Sequence, residues 1–298
     1  MSVQVSIVTP NLNRGGMLAD ALASVATQTG VAFEHIFVDG GSTDNSVALA
    51  ASSGARVIEA PGSSIYEAIN IGIAAAQGEF ICLLNSDDWL RPGALKAALA
   101  AFETEPNLDL VRGRADVEAS VDGHWVMEPA LAEPAAPSLA NALLGRSNIN
   151  ACIFKRTLFE RVGPFNPTYA ISADREWLAR VLLSDARTAG INSDIYVYRS
   201  HAGSLTIGRE RKQTEKWVRE HLTFSRALLR IPALTAGHRT VLQQFHAKET
   251  AHFALLSLRR FGFGDFVSTT ARSFGASPLW PMHAVAPIGA IVARRLRS

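Results

Sequence analysis

Short apolar runs rich in β-branched and aromatic residues alternate with amphipathic stretches over the first hundred positions. The runs have the length of strands and the stretches have the spacing of helices, so the pattern predicts strand–helix–strand units and a mainly parallel sheet. Strands are predicted at residues 3–9, 33–38, Arg56–Glu59 and 80–84, and helices up to about residue 28, after residue 44 and over 64–76.

The pattern is less regular beyond residue 105. Residues 108–130 are typical of irregular strands with a hairpin at Asp122-Gly123, and a Pro-rich stretch at 133–137 leads into a short helix. Further strands are predicted at 150–154 and 195–199, with a helix over Ala173–Leu183 between them. From Gly208 onward the spacing is helical with basic faces, so an α/β fold followed by a helical region is expected.

Polar residues follow three of the four early strands. Residues 10–13 follow the first strand, residues 39–44 follow the second and residues 85–88 follow the fourth. In parallel α/β sheets, ligands bind beyond the carboxyl ends of the strands. The sequence therefore predicts a binding site at this edge of the sheet.

Charge is distributed unevenly along the chain. Residues 1–198 hold 13 Lys and Arg against 22 Asp and Glu, a net charge of −9, whereas residues 199–298 hold 16 against 5, a net charge of +11. Such a split predicts two different roles for the two parts. The basic part carries no recognised nucleic-acid-binding motif, so nucleic acid is not an expected partner.

Cysteine usage limits the kinds of site and the compartment. Cys82 and Cys152 are the two cysteines among 298 residues, and neither belongs to a CxxC or Cys/His cluster. A disulfide framework and a structural zinc site are therefore not expected, and both cysteines are interpreted as small buried apolar residues. The first residues lack a basic segment followed by a long apolar one, so a cytoplasmic location is predicted.

Two adjacent carboxylates, Asp87 and Asp88, come directly after a buried strand. They repel each other unless a positive charge lies between them, and Mg²⁺ commonly binds one or two carboxylates together with substrate phosphates. A divalent cation site is one interpretation. The other is a solvated pair at the start of a helix near Pro92.

Asp39 ends the second strand and is followed by two glycines. Its carboxylate could accept a hydrogen bond from the edge of a nucleobase, with backbone amides assisting. The alternative is an ordinary turn in which Ser42 or Asp44 caps the next helix.

Four segments together resemble the inverting family 2 glycosyltransferases of the GT-A fold: SIVTPNLNR, FVDGGSTDNS, IYEAINIGIAAAQGEFICLLNSDDW and ISADREWLAR. The third also resembles the bacterial polysaccharide-biosynthesis branch. The resemblance covers about residues 3–205. It implies a GT-A catalytic domain over residues 1–205, with a Rossmann-like central sheet flanked by helices, followed by a helical basic region over 206–298.

The resemblance also implies roles for individual residues. Asp39 would meet the base, Asn70 would lie near the diphosphate, and Asp87 would bind Mn²⁺ or Mg²⁺ with help from His201; Asp88 is a weaker metal candidate. Asn85 departs from the family's Asp-x-Asp pattern, which puts metal affinity in question. The residues expected around the nucleotide-sugar are Thr9, Pro10, Asn11, Asn13, Asp39, Ser42, Asn70, Asn85 and Ser86.

Asp174, at the start of a predicted helix, corresponds to the family's catalytic base. An inverting transfer needs a base that takes the proton of the acceptor hydroxyl. The residues alone fit a helix N-cap equally well, and Glu176 is the alternate base. Arg199 is a candidate for neutralising diphosphate charge.

The function implied is metal-dependent inverting transfer from a nucleotide-sugar, with a UDP-sugar as donor and a glycan or polyprenyl-linked glycan as acceptor. Two alternatives remain: an inactive carbohydrate- or membrane-binding relative, which Asn85 favours, and a nucleotidyltransferase, which the cation-poor segment PNLNRGG disfavours. The oligomeric state is left open.

Residues 273–293 contain no Asp, Glu, Lys or Arg and are followed by Arg294, Arg295 and Arg297. Prolines at 278, 281 and 287 argue against a continuous transmembrane helix. The pattern favours peripheral contact with the inner face of the cytoplasmic membrane. The alternative is a helix packed on the catalytic domain or on a second subunit.

Overall fold

The computed structural model describes residues 3–121, 124–128, 136–145, 149–201 and 211–260. The chain divides into two compact units. One comprises Met1–Ala142 and Arg146–Gly208, and the other comprises Leu143–Gly145 and Arg209–Ser298. The assignment of catalysis to residues 1–205 and of a separate role to 206–298 stays a prediction.

Nine strands of the described chain form one sheet, in the order β3-β2-β1-β4-β8-β6-β9-β5 with β7 paired to β6. The strands are β1 (Val5–Asn11), β2 (Phe33–Asp39), β3 (Arg56–Glu59), β4 (Phe80–Leu83), β5 (Trp89–Leu90), β6 (Leu110–Val121), β7 (His124–Glu128), β8 (Cys152–Lys155) and β9 (Thr188–Ser200). The helices are α1 (Gly15–Ala26), α2 (Ser46–Ser52), α3 (Ile65–Ala74), α4 (Ala94–Thr104), α5 (Leu139–Leu144), α6 (Arg156–Val162), α7 (Ala173–Leu183), α8 (Arg211–Leu229) and α9 (Ala236–Arg260), with a 3₁₀ turn at Ile149–Ala151.

The first four strands confirm the predicted parallel sheet. β1 pairs in parallel with β2 and β4, and β2 pairs in parallel with β3. The second half of the sheet is mixed: β6 pairs in parallel with β9, whereas β8 is antiparallel to both β4 and β6, and β5 is antiparallel to β9. Uninterrupted parallel pairing is therefore confined to β1–β4.

β1 is buried on both sides because its apolar residues point to both faces of the sheet. Val5 and Ile7 pack in one apolar layer with α1 and α4, whereas Val8 packs in the other with α3 and α7. Gly72 lets α3 approach β1 closely, since a Cβ added there would lie 2.4 Å from a methyl group of Val8. Cys82 and Cys152 are fully buried, as predicted.

α3 begins where its sequence predicts. The side chain of Ser64 accepts a hydrogen bond from the Glu67 amide, and the Glu67 carboxylate accepts one from the Ser64 amide. This reciprocal capping satisfies two amides that the first helical turn leaves without partners. It fixes the start of α3 at the carboxyl edge of the sheet, after β3.

The second unit contains the predicted basic helices as α8 and α9. An apolar cluster between α8 and α9 contains Val218, Leu222 and Phe253. The rings of Phe224 and Phe245 are stacked, with their centroids 5.6 Å apart. No helix in the described ranges is both long enough and apolar enough to cross a bilayer. Residues 273–293, with their predicted membrane contact, lie outside the described residues.

Candidate active site

The ends of β1 and β2 meet in a network of polar side chains. Asn11 and Asp39 are paired in register, and the Asn11 amide donates to Asp39 Oδ1 and to Ser42 Oγ, each at 3.0 Å. Ser42 in turn donates to Asp39 Oδ1 and accepts from the backbone amide of Asn13. The structure thus brings together four residues that the sequence predicted around the nucleotide.

The Asp39 carboxylate is 2% exposed. Burial favours a higher pKa for Asp39, but bonds from Ser42, Asn11 and the Gly41 amide outweigh it and lower the pKa. The group is therefore an anion that holds the turn after β2. The expected cap comes from Asp44 and not from Ser42: Asn45 is the N-cap position of α2 but makes no side-chain cap bond, whereas Asp44 Oδ1 accepts from the Ser46 amide at 3.0 Å. Ser42 bonds Asp39 instead.

The two carboxylates in the turn after β4, Asp87 and Asp88, have different surroundings. Asp88 is 1% exposed and accepts hydrogen bonds from Asn85, from the Tyr196 hydroxyl and from the Arg199 amide, at 2.9, 2.6 and 2.8 Å. Burial and then the neighbouring Asp87 raise the pKa of Asp88 to about 7. Asp88 is therefore a structural group, and its weaker candidacy as a metal ligand is not supported.

Asn85 has a role that the sequence did not indicate. Its amide donates to the buried oxygen of Asp88. An aspartate at position 85 would place another carboxylate against that oxygen, so an amide is the better neighbour here. The asparagine that replaces the first Asp of the Asp-x-Asp pattern therefore stabilises the turn.

Asp87 points the other way and meets His201. Its side chain is 19% exposed, and its Oδ2 lies 3.1 Å from His201 Nε2 and 3.6 Å from Arg14 Nε. The pairing of β5 with β9 explains the contact, because it sets the turn before Trp89 beside the chain that leads from Arg199 to His201. Both predicted metal residues therefore lie together.

Asp87 and His201 are hydrogen-bonded, with 3.1 Å between Oδ2 and Nε2. Asp87 offers a carboxylate oxygen and His201 an imidazole nitrogen, so a divalent cation could bind both only in place of that hydrogen bond. Across the described residues no set of three or more His, Cys, Asp or Glu could hold a metal. The remaining ligands would have to be phosphate oxygens and water, as is usual for Mg²⁺.

Asp174 lies in the first turn of α7, where the N-cap is Ser172. Asp174 is thus not the cap that the residues alone allowed. Burial raises its pKa, although the Arg175 amide, the Arg175 charge and a hydrogen bond with Tyr66 work against that rise. A partly exposed carboxyl with a raised pKa has the properties of a general base.

Glu176 is 7% exposed, and its two oxygens bind the Arg180 guanidinium at 2.8 and 3.0 Å. A carboxylate held in this way is not available to take a proton, so Glu176 is not the alternate base. Arg199 is also committed elsewhere, since its guanidinium pairs with Asp20 and Glu118. Its predicted contact with a diphosphate is therefore not supported.

Four other predicted residues have different surroundings. The Asn70 amide donates to the Phe165 carbonyl and accepts from the Phe165 amide, so the structure assigns it to a loop contact rather than to a diphosphate. Thr9 is fully buried and shares a hydrogen bond of 2.9 Å with His35. Pro10 and Ser86 are buried at the ends of β1 and β4, where the sequence placed them.

Sequence reasoning did not assign roles to Tyr66 and Tyr196, whose hydroxyls donate to the Ile171 carbonyl and to Asp88. The spacing of the third motif could have pointed to Tyr66, because its acidic neighbour Glu67 caps α3 while Tyr66 faces inward. Nothing in the local sequence reveals Tyr196, which reaches Asp88 through the pairing of distant strands.

The profile of the family "Glycosyl transferase family 2" matches residues 6–162, a little over half of the chain. The chain belongs to this family. The transferase is 34% identical over 190 residues to the PGL/p-HBAD biosynthesis glycosyltransferase of Mycobacterium tuberculosis, an alignment that covers 61% of this chain and 70% of that one.

Two solved structures share the fold of this transferase. S. aureus TarS, residues 1–349, has a TM-score of 0.66 at 16% identity, covering 97% of this chain and 83% of that one; it has also been solved with UDP-GlcNAc. The mannosyltransferase PcManGT from Pyrobaculum calidifontis, solved with GDP-Man and Mn²⁺, has a TM-score of 0.59 at 14% identity, covering 99% of this chain and 88% of that one. The predicted GT-A fold is confirmed.

Proposed function

We propose that this glycosyltransferase is a metal-dependent, inverting enzyme that uses a UDP-sugar to glycosylate a hydroxyl of a glycan or polyprenyl-linked glycan in polysaccharide biosynthesis. The observation that carries the proposal is the Asp87–His201 pair at the carboxyl edge of the sheet, beside the end of β1. TarS with UDP-GlcNAc and PcManGT with GDP-Man and Mn²⁺ support a nucleotide-sugar and a cation.

The polar network at the ends of β1 and β2 supports the nucleotide end of the site. The buried Asp39 carboxylate holds Asn11 and Ser42, and the Ser42 hydroxyl in turn accepts a hydrogen bond from the Asn13 backbone amide. Side chains fixed by such bonds are arranged before the ligand arrives, which reduces the entropy lost on binding. We assign this corner to the base and ribose.

The acidic corner supports the diphosphate end. A Mn²⁺ or Mg²⁺ ion held by Asp87 and His201 would neutralise the negative charge that develops on the departing diphosphate. Arg14 adds a positive charge at this corner, where its guanidinium lies 3.6 Å from the Asp87 carboxylate. Asp88 and Tyr196 hold the turn that presents Asp87.

Asp174 supplies the base. Its carboxylate takes the proton of the acceptor hydroxyl while that oxygen bonds to the anomeric carbon and the bond from this carbon to the diphosphate oxygen breaks. Attack from the face opposite the leaving group inverts the configuration, so an α-linked donor gives a β-linked product. The raised pKa of Asp174 makes it a stronger base than an ordinary aspartate.

The test is release of nucleoside diphosphate from UDP-GlcNAc, UDP-Glc and GDP-Man, each with Mn²⁺, Mg²⁺ or EDTA, with donor binding measured by calorimetry. We expect a UDP-sugar to be turned over only with a cation, and Asp87→Ala to lose that turnover. The exposed Asp185 provides the control Asp185→Ala, which should behave as wild type. Turnover that is equal in EDTA, or a GDP-sugar as the sole donor bound, would contradict the metal or the UDP assignment.

The inactive-relative alternative depended on Asn85. Because Asn85 supports Asp88, its identity does not point to lost activity. Because the chain belongs to the glycosyltransferase family, the nucleotidyltransferase alternative is not retained. The acceptor class, the cytoplasmic location and the membrane contact stay predictions.

A further inference from the structure

Apolar exposure in the described part of the chain is concentrated on β7. Of the five large apolar side chains that are exposed there, three are consecutive residues of this strand: Trp125, Val126 and Met127. Side chains alternate along a strand, so Trp125 and Met127 share one face of β7 and Val126 lies on the other. Contiguous exposed apolar groups mark a binding site when polar residues surround them.

Trp125 and Met127 belong to a connected surface that also contains Trp89, Arg91 and Arg199, called here the tryptophan surface. The Arg199 guanidinium lies over the Trp125 ring, 4.7 Å from its centroid, and the Arg91 guanidinium lies over the Trp89 ring at 5.0 Å. Nη2 of Arg91 is also 3.8 Å from Met127 Sδ. Each guanidinium therefore holds one indole, and the Trp125 side chain still remains 42% exposed.

The charges next to these rings are paired with one another. Arg91 binds Asp116 at 2.6 Å, and Arg199 binds Glu118 at 3.0 Å and Asp20 at 2.9 Å. Two guanidinium groups thus face three carboxylates. The tryptophan surface consequently has no excess positive charge that would attract a phosphate or an acidic polymer.

Flat indole faces beside ordered, paired polar groups fit a neutral sugar. One face of a pyranose ring carries mainly C–H groups, which leave water favourably when they pack on an aromatic ring. The sugar hydroxyls can donate to the Asp116 and Glu118 carboxylates and accept from the guanidinium groups. A purely apolar partner would instead take these charged groups out of water without giving them new hydrogen bonds, which is costly.

The tryptophan surface is continuous with the carboxyl edge of the sheet. β9 pairs along one edge of β6, so β8 and β7 both pair with the other edge, β8 near the start of β6 and β7 near its end. β7 therefore continues the line of β8 past the last residues of β4, where the turn with Asp87 begins. Trp89 is two residues from Asp87, and Arg199 is two residues from His201.

We propose that the tryptophan surface is a subsite for neutral sugar units of the acceptor glycan, beyond the unit that receives the transferred sugar. The proposal rests on the proposed function, in which the acceptor is a glycan. No chemical step takes place at this surface. It binds the acceptor and orients it, and it favours a chain of uncharged sugars over a single one.

The experiment is calorimetric titration of the full-length protein, with UDP and Mn²⁺ present. The probes are linear neutral oligosaccharides of one to six units, built from glucose, galactose, mannose or N-acetylglucosamine. We expect one series to bind more tightly as its length increases, and Trp125→Ala to weaken binding of its longest member about tenfold. Trp125→Phe, which keeps a smaller aromatic face, should recover part of that affinity. Absence of binding by every series, or an affinity that does not depend on Trp125, would overturn the proposal.

Val126→Ala is the matched control. Val126 is the next residue of β7 and is similarly exposed, at 47%, but it lies on the opposite face. We expect this variant to bind the oligosaccharides and to turn over donor as wild type does, and urea denaturation shows that each variant is folded. An equal loss of affinity in Val126→Ala and Trp125→Ala would contradict a specific role of the indole.

The same variants test two other occupants of the tryptophan surface. Sedimentation shows whether wild type forms a dimer that Trp125→Ala abolishes, and flotation with phosphatidylglycerol vesicles shows whether Trp125 binds lipid. Either result, together with unchanged oligosaccharide affinity, would overturn the proposal and assign the surface to a second copy or to a membrane.

Donor turnover by wild type separates this proposal from the proposed function. If no nucleotide-sugar is turned over, the proposed function fails. If donor is turned over while oligosaccharide binding does not depend on Trp125, only the subsite fails.

Discussion

Two carboxyl groups of the transferase, Asp88 and Asp174, both have a pKa raised by burial but have different surroundings. The Tyr196 hydroxyl donates directly to Asp88, whereas the Tyr66 hydroxyl donates to the Ile171 carbonyl, three residues before Asp174. Asp88 is 1% exposed and accepts two further hydrogen bonds, from Asn85 and the Arg199 amide. Asp174 lies at a helix start and is only partly buried.

The comparison shows that a raised pKa alone does not identify a catalytic carboxyl. At Asp88 the acceptor positions are filled by fixed donors from β9 and from its own turn, so no substrate hydroxyl can approach. Asp174 is partly exposed as a residue, and the one hydrogen bond that the described part of the structure gives its carboxyl comes from the adjacent Arg175 amide. Access, more than basicity, separates the structural group from the candidate base.

The largest expected effect on stability comes from Asp88→Ala. It would leave the Tyr196 hydroxyl, the Arg199 amide and the Asn85 amide without their acceptor, and unsatisfied buried donors cost about 1–3 kcal/mol each. Partial relaxation and the loss of a poorly solvated carboxyl offset part of this. We expect a loss of about 3 kcal/mol in the free energy of unfolding, measured by urea denaturation at pH 7.

Asp87→Ala is the matched control, one residue away. Asp87 is 19% exposed and its partners Arg14 and His201 are 33% and 8% exposed, so it is less deeply buried than Asp88 and its loss should change the free energy of unfolding by about 1 kcal/mol. That variant should instead lose cation-dependent turnover. Equal destabilisation by the two variants would remove the distinction between the neighbouring carboxylates.

A second effect is the pH dependence of stability. The Asp88 carboxyl has a pKa of about 7 in the folded protein and its ordinary value of 3.8 in the unfolded chain. Between these values the folded state holds a proton that the unfolded state has released, so this group lowers stability as pH rises from about 4 to 7. Asp88→Asn should lack this contribution.

The measurement is urea denaturation of wild type and Asp88→Asn at pH 5 and pH 7. We expect the difference between their free energies of unfolding to change by about 1–2 kcal/mol in favour of the variant at pH 7. A difference that is constant with pH would show that Asp88 is ionised in the folded protein throughout this range.

The smallest stability effects are expected from the tyrosines. Tyr196→Phe and Tyr66→Phe each remove one buried hydroxyl, with an expected loss of about 1 kcal/mol in each case. Urea denaturation of each variant against wild type at pH 7 measures this, and a loss above about 3 kcal/mol for either variant would contradict it.

The early sheet could be predicted because its signals are local. β1 to β4 are short apolar runs that alternate with amphipathic helices, and the Ser64–Glu67 capping pair marks the start of α3. The polar residues after β1 and β2 could likewise be expected to meet, since parallel strands bring their carboxyl ends to one edge. Asn11 and Asp39 do meet there.

The later sheet depends on distant pairing. β9 runs over Thr188–Ser200, far longer than the predicted 195–199, because β6 supplies a partner for a segment with little apolar character. β5 has two residues and exists through its pairing with β9. The burial of Asp88 follows from such contacts, so the residues alone, without the family resemblance, could not separate Asp88 from Asp87.

The most direct test of the account is the turnover and donor affinity of Asp174→Asn, with Asp185→Asn as the control at an exposed aspartate. Asparagine preserves the shape of the side chain but cannot take a proton. We predict that kcat falls by about 10²–10⁴-fold while the donor Kd and the free energy of unfolding stay near the wild-type values. A kcat within about threefold of wild type, or donor affinity lost together with turnover, would contradict the assignment of Asp174 as the base.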